Sequence, residues 1–190
     1  MKKLVIGTVA AGLVLGPLAI PASAATSAAP VAQAAAKAAD PILAGKRQVV
    51  IKPLPSFEEI VAIDAKGRLT VTDGNPAFGL FVLSPVGSKW QIKTAKAGDG
   101  KKAACIGIRN NGTAPLTAVA ATCDATRAGQ LFDITRQQAK DNGLPTYAIS
   151  NRSAYLQNFP SSGLIAEELG DAPLLTTFSF VDNGAAPKLG

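Results

Sequence analysis

Residues 105–123 read Cys105-IGIRNNGTAPLTAVAAT-Cys123 and hold both cysteines of the 190-residue chain. Two thiols closing so short a loop suit a redox pair, half of a metal site, a structural staple or one unit of a repeat. Redox pairs usually sit at Cys-x-x-Cys spacing. Two thiolates without histidine leave a tetrahedral zinc set incomplete, and the chain has no histidine. The N-terminus decides among the rest. Met1–Ala24 begins with Lys2-Lys3, continues apolar from Leu4 to Ile20, and ends in Ala22-Ser23-Ala24 behind Pro21. That is the pattern of a secretory signal peptide. Exported cysteine pairs are usually oxidised, so the sequence predicts a Cys105–Cys123 disulfide and a secreted protein. No later stretch is long and apolar enough to span a bilayer.

Residues 25–47 are mostly alanine, interrupted by Pro30 and Pro41. They are read as a linker, and residues 48–190 as one domain. Removing Lys2 and Lys3 lowers the formal charge from +6 to +4. The remaining bases are scattered and not interleaved with aromatics, which argues against nucleic acid as a partner. Acidic pairs occur at Glu58-Glu59 and Glu167-Glu168. Neighbours on a strand point to opposite faces, so neither pair is a facing acid and base. No nucleophile elbow, phosphate loop or metal-spaced acidic run appears. No catalytic residue, cofactor or metal is expected, and the chain is read as a non-enzyme.

On both sides of the cysteines, short apolar runs alternate with Gly/Pro/Asn/Asp turns. The runs are 60–63, 68–71, 80–83, 90–93, 105–108, 116–122, 131–135, 146–150, 154–157, 163–169 and 178–181. This spacing predicts an all-β fold. Aromatic-x-apolar triplets recur at Trp90-Gln91-Ile92, Phe132-Asp133-Ile134 and Phe178-Ser179-Phe180. With Leu69, Ile106 and Leu156 upstream, they suggest three units of roughly 45 residues, each too small to bury its own apolar face. Three such units can close a six-stranded barrel capped by three hairpins, a β-trefoil.

The segment Cys105–Thr135 resembles the repeat of ricin B-type β-trefoil lectins. Cys105 and Cys123 match its cysteine pair, Ile106 and Ile108 its apolar pair, and Asn110-Asn111-Gly112 its turn. Asp124 follows the second cysteine, and Gln130-Leu131-Phe132 matches Gln-x-Trp. The resemblance spans residues 57–183, with Arg68–Trp90 and Tyr155–Phe178 as the weaker units. It implies a secreted, non-catalytic module that binds carbohydrate or a cell surface. A secreted protein-binding trefoil, such as a protease inhibitor or interaction factor, is the alternative, and a structural envelope protein is a third reading. Family members hold sugar with a first-strand carboxylate and an aromatic platform. Here Thr70, Gly107 and Gln157 stand at the first position, and Ala121 is near the second in the best-matching unit. Asn110, Asn111, Asp124 and Phe81 are therefore the candidate sugar-binding residues. Phe78, Phe159, Tyr147 and Tyr155 are the other aromatics read as facing solvent. Asn110-Asn111-Gly112 also reads as a plain tight turn. Asn111-Gly112-Thr113 and Asn151-Arg152-Ser153 are glycosylation sequons.

Overall fold

The computed structural model describes residues 40–56, 58–96, 102–109 and 116–188. The signal peptide, most of the linker, Asn110, Asn111 and the sequon beginning at Asn111 lie outside these residues. Twelve strands form: β1 Arg47–Leu54, β2 Ile60–Ile63, β3 Leu69–Thr72, β4 Phe81–Val86, β5 Lys89–Thr94 and β6 Ala104–Arg109, then β7 Thr117–Thr122, β8 Asp133–Asp141, β9 Leu144–Asn151, β10 Ala154–Phe159, β11 Gly163–Glu168 and β12 Thr177–Ala185. Apart from a 3-10 turn at Ala128–Gln130, no helix occurs among the described residues.

Eleven strands fall on the expected runs. The first, β1, was not expected. In Arg47–Leu54 the buried positions are Val49, Ile51 and Pro53. The alternation is blurred because the outward residue between the first two is also apolar, Val50. The packed chain also starts earlier than Gln48. Asp40 caps a turn by accepting the Ile42 N–H at 2.8 Å. That turn buries Leu43, whose carbonyl accepts the Trp90 indole N–H at 2.8 Å.

Six strands make a ring in the order β1, β4, β5, β8, β9, β12 and back to β1. The β5–β8 link is one bridge, with Trp90 and Phe132 exchanging both backbone hydrogen bonds at 3.0 and 2.9 Å. The other six strands are the hairpins β2–β3, β6–β7 and β10–β11. These touch through the bridges Arg68–Val119 and Leu116–Ala166. Each run of four strands thus gives its outer pair to the ring and its inner pair to the hairpin set.

Within each quartet the fourth strand, or the residue leading into it, meets the first strand at a buried phenylalanine. The pairs are Val49–Phe81, Trp90–Phe132 and Tyr147–Phe178. Two residues further along the first strands stand Ile51, Ile92 and Ile149, all buried. Val61, Ile106 and Leu156 come from the first strands of the hairpins, and only about 10 Å³ of empty space remains among these side chains. Burying three phenylalanines and these aliphatics contributes about 2 kcal/mol each, the main term holding the ring closed.

The pairings correct the frame read from sequence. Trp90 lies on a first strand, whereas Phe132 and Phe178 belong with fourth strands. The residue matching those two is Phe81, and the residue matching Ile106 and Leu156 is Val61, not Leu69. Both ring strands of a quartet present i and i+2 to the core, so aromatic-x-apolar marks either one.

Candidate functional site

Cys105 and Cys123 are joined, with 4.8 Å between their Cα atoms. Cys105 lies on β6 opposite Ala121, so the bond closes the hairpin beside its base. It is the only disulfide among the described residues, and no described cysteine is free.

The positions that would hold sugar in a ricin B-type repeat are occupied by the fold itself. On the observed pairings the first-strand position is Ala62, Gly107 and Gln157, one residue after Val61, Ile106 and Leu156; Thr70 is not among them. All three are buried. At Gly107 a Cβ would lie 3.1 Å from Gln130 Cγ and 3.5 Å from the Gly129 carbonyl oxygen. The glycine makes room for Gln130. That glutamine, 1% exposed, accepts the Asp124 N–H at 2.8 Å and donates to the Thr122 carbonyl at 2.8 Å. In the third quartet the bulk is exchanged. Thr176 takes the place of Gln130, and the fully buried Gln157 accepts its N–H at 3.0 Å. Both first-strand positions are thus packed against their own chain.

The sequence candidates fare differently. Phe81 is fully buried in the core and has no surface to offer a sugar, which corrects its reading as a platform. Tyr147 is also buried, stacked on Phe180 with ring centroids 4.8 Å apart. Asp124 is half-buried, and one carboxylate oxygen accepts both the hydroxyl and the N–H of Thr126, at 2.7 and 2.9 Å. Those bonds hold its pKa below the usual carboxylate value. It therefore serves as a turn acceptor. Trp90 is core. Asn151 is 7% exposed and donates to the carbonyls of Ala128 and Leu131 at 2.7 and 2.9 Å, which makes it a structural amide.

Phe159 lines a surface cleft of about 520 Å³ that joins the first and third quartets. The end of β1 supplies Leu54 and Pro55, the following loop Glu59, the end of β10 Asn158 and Phe159, and the approach to β12 Leu175 and Thr176. Thr176 Oγ1 accepts the Asn158 N–H at 2.9 Å, and Asn158 Nδ2 donates to Glu59 Oε2 at 3.3 Å. Glu59 has no ion-pair partner among the described residues. A positioned carboxylate and amide beside a half-buried ring can accept and donate hydrogen bonds to hydroxyls while an apolar wall covers C–H groups. In the sequence Glu59 stands out only as half of the Glu58-Glu59 pair, and Asn158 carries no signal. They converge from segments that are separated by 99 positions. No group of three or more His, Cys, Asp or Glu placed to hold a metal occurs among the described residues, and no described helix is long and apolar enough to cross a membrane.

No family model and no curated protein matches the sequence. Solved structures do match by shape. The BEL beta-trefoil, in an apo crystal form, aligns at 15% identity and TM-score 0.56, covering 72% of this chain and 93% of that one. The water-soluble chlorophyll protein of Brassica oleracea var. Botrytis with chlorophyll b aligns at 17% identity and TM-score 0.51, covering 73% and 93%. Lysenin in complex with phosphocholine aligns at 17% identity and TM-score 0.50, covering 76% of this chain and 47% of lysenin. Two of these carry unrelated ligands, so the shared shape leaves the ligand open. What the ring, the hairpins and these neighbours establish together is an all-β, β-trefoil-like fold with one disulfide.

Proposed function

We propose that the protein is a secreted, non-catalytic binding module that takes a neutral glycan or cell-surface polymer in the Glu59–Asn158–Phe159 cleft. The three quartets are read as three diverged copies of one trefoil unit, since Val49–Phe81, Trp90–Phe132 and Tyr147–Phe178 are corresponding pairs. The observation that carries the function is the half-buried Glu59 carboxylate, held by Asn158 and bordered by Phe159. With the lectin-type seats filled at Gly107 and Gln157, recognition moves to this boundary between quartets. A disulfide persists in an oxidising compartment, which supports export.

The test is an array of neutral glycans and polysaccharides probed with the wild type and with Phe159→Ala. Binding that falls about tenfold or more in the variant supports the reading, at the usual worth of an aromatic contact. Equal binding by both proteins contradicts it. A protein partner, such as a secreted protease, is the second reading. It is favoured by Leu175, 57% exposed at the rim of the same cleft. Protease inhibition that is lost in Leu175→Ser, without any glycan binding, would select it.

A further inference from the structure

Residues just ahead of each fourth ring strand face the exit of the next quartet's first strand. Thr176 and the end of β1, at Leu54-Pro55, enclose the cleft described above. Gly79 and the end of β5, at Ala95-Lys96, enclose a second cleft of about 330 Å³. The third boundary is shut, because Asn151 at the end of β9 is clamped onto Ala128 and Leu131. Gly79 shapes the second cleft. A Cβ there would stand 2.8 Å from Pro76 Cγ and 3.2 Å from Ile60 Cδ1, so Pro76 packs directly on bare backbone.

The second cleft differs in chemistry from the first. Phe78 and Pro76 are part of its apolar wall, Gln48, Asn75 and Asn183 provide amide groups, and Lys96 is the one charged residue among the described residues that line it. Gln48 Nε2 is fixed on the Asn183 carbonyl at 2.9 Å. Lys96 is exposed and has no carboxylate partner among the described residues. An exposed ammonium on the same cleft as three amide residues and a ring suits a ligand with one negative charge and several hydroxyls. We propose that this cleft is a second binding site and takes a carboxylate-bearing sugar unit, the uronic acid residue of an acidic polysaccharide. Lys96 pairs with the carboxylate, the amides meet hydroxyls, and Phe78 covers the C–H face of the ring. The ammonium is a compact point charge, and a uronate unit offers it one negative charge per sugar. The site stands on its own residues and does not require the first cleft to be filled.

The experiment titrates the full chain with oligogalacturonate and with a neutral oligogalactose, followed by calorimetry and by amide chemical shifts. Three variants accompany the wild type. Lys96→Gln removes the proposed charge, Phe78→Ala removes the wall, and Lys140→Gln removes an exposed lysine on β8, outside both clefts. The expected result is oligogalacturonate binding that weakens about tenfold or more in Lys96→Gln, the scale of a charge-assisted hydrogen bond. Phe78→Ala weakens it as well, Lys140→Gln leaves it nearly unchanged, and the shifted amides cluster at Phe78–Leu80 and Ala95. Equal loss in Lys96→Gln and Lys140→Gln would mean attraction to net charge alone and would overturn the proposal. So would wild-type affinity in Lys96→Gln, absence of oligogalacturonate binding, or shifts confined to Asn158 and Phe159.

Discussion

Replacing Gln130 tests how the fold fills the seat that a lectin would leave for sugar. The Gln130 side chain makes three hydrogen bonds: from Asp124 N–H at 2.8 Å, to the Thr122 carbonyl at 2.8 Å, and from Gln91 Nε2 at 3.3 Å. Gln130→Ala leaves all three partner groups unanswered over a glycine that cannot fill the space. A buried group left unsatisfied costs about 1–3 kcal/mol. Water can reach Asp124 and Thr122, which are partly or fully exposed, so only the buried Gln91 bears the full cost. The expected loss is about 2–3 kcal/mol, a large share of the 5–15 kcal/mol typical of a domain. Urea unfolding followed by tryptophan fluorescence measures it, with Trp90 as the one reporter. Gln130→Glu sharpens the test. The carboxylate keeps the shape and still accepts from Asp124 and Gln91, but it cannot donate to Thr122. Only the protonated acid can, so burial and that carbonyl raise the folded pKa above the ordinary value of about 4.3. A raised folded pKa gives stability that is present below the unfolded value and lost as pH rises through the folded one. Gln130→Glu should therefore approach wild-type stability in acid and fall behind at neutral pH. A loss under about 1 kcal/mol in Gln130→Ala, or a pH-independent deficit in Gln130→Glu, would mean that the Gln130 amide does not hold this seat together.

Removing the disulfide by Cys105→Ala with Cys123→Ala should cost about 3 kcal/mol by the chain-entropy relation for a loop of this size, read as a lowered urea midpoint. Phe81→Ala should destabilise by about 3–5 kcal/mol, as deletion of a buried ring does. Glycan affinity per folded molecule should stay at the wild-type value, since Phe81 has no exposed surface. Asp64, Asp124 and Asp182 all have lowered pKa values, held by the Arg68 N–H, the Thr126 hydroxyl and the Arg47 side chain respectively. Depressed carboxyl pKa values give stability that is present above the unfolded value and lost as pH falls through the folded ones. Thermal melts should therefore hold steady down to about pH 4 and decline below it. Expressed in a glycosylating host, the chain should carry no glycan at Asn151 in the folded protein, as peptide mass spectrometry would show.

The strands were legible because short apolar runs stand between turn-forming clusters, although several of them, such as Ile60–Ile63 and Leu144–Asn151, bury consecutive residues rather than alternate ones. Leu144–Asn151 and Ala154–Phe159 are separated by a two-residue turn in which Arg152 adopts φ 56°. The quartet frame was not legible. Val50 on the outer face beside Val49 hid β1, and without β1 the aromatic of the first quartet was sought at Trp90 instead of Phe81. The disulfide could be inferred from export and pairing alone. The exchange of bulk between Gln130 over Gly107 and Thr176 over Gln157 could not, because each pair is joined only in space. The same holds for the cleft. Phe159 stood out as an aromatic, but Glu59 acquires its setting from Asn158 across the boundary of two quartets.

The proposed glycan site lies at the quartet boundary and not in the hairpin seats of lectin-type trefoils. Amide chemical-shift mapping with the strongest neutral glycan ligand tests it most directly. Binding at the boundary should give shifts at Glu59, Asn158, Phe159 and Leu175 that disappear in Phe159→Ala. Shifts centred on Ala62, Gly107 and Gln157, persisting in that variant, would contradict it.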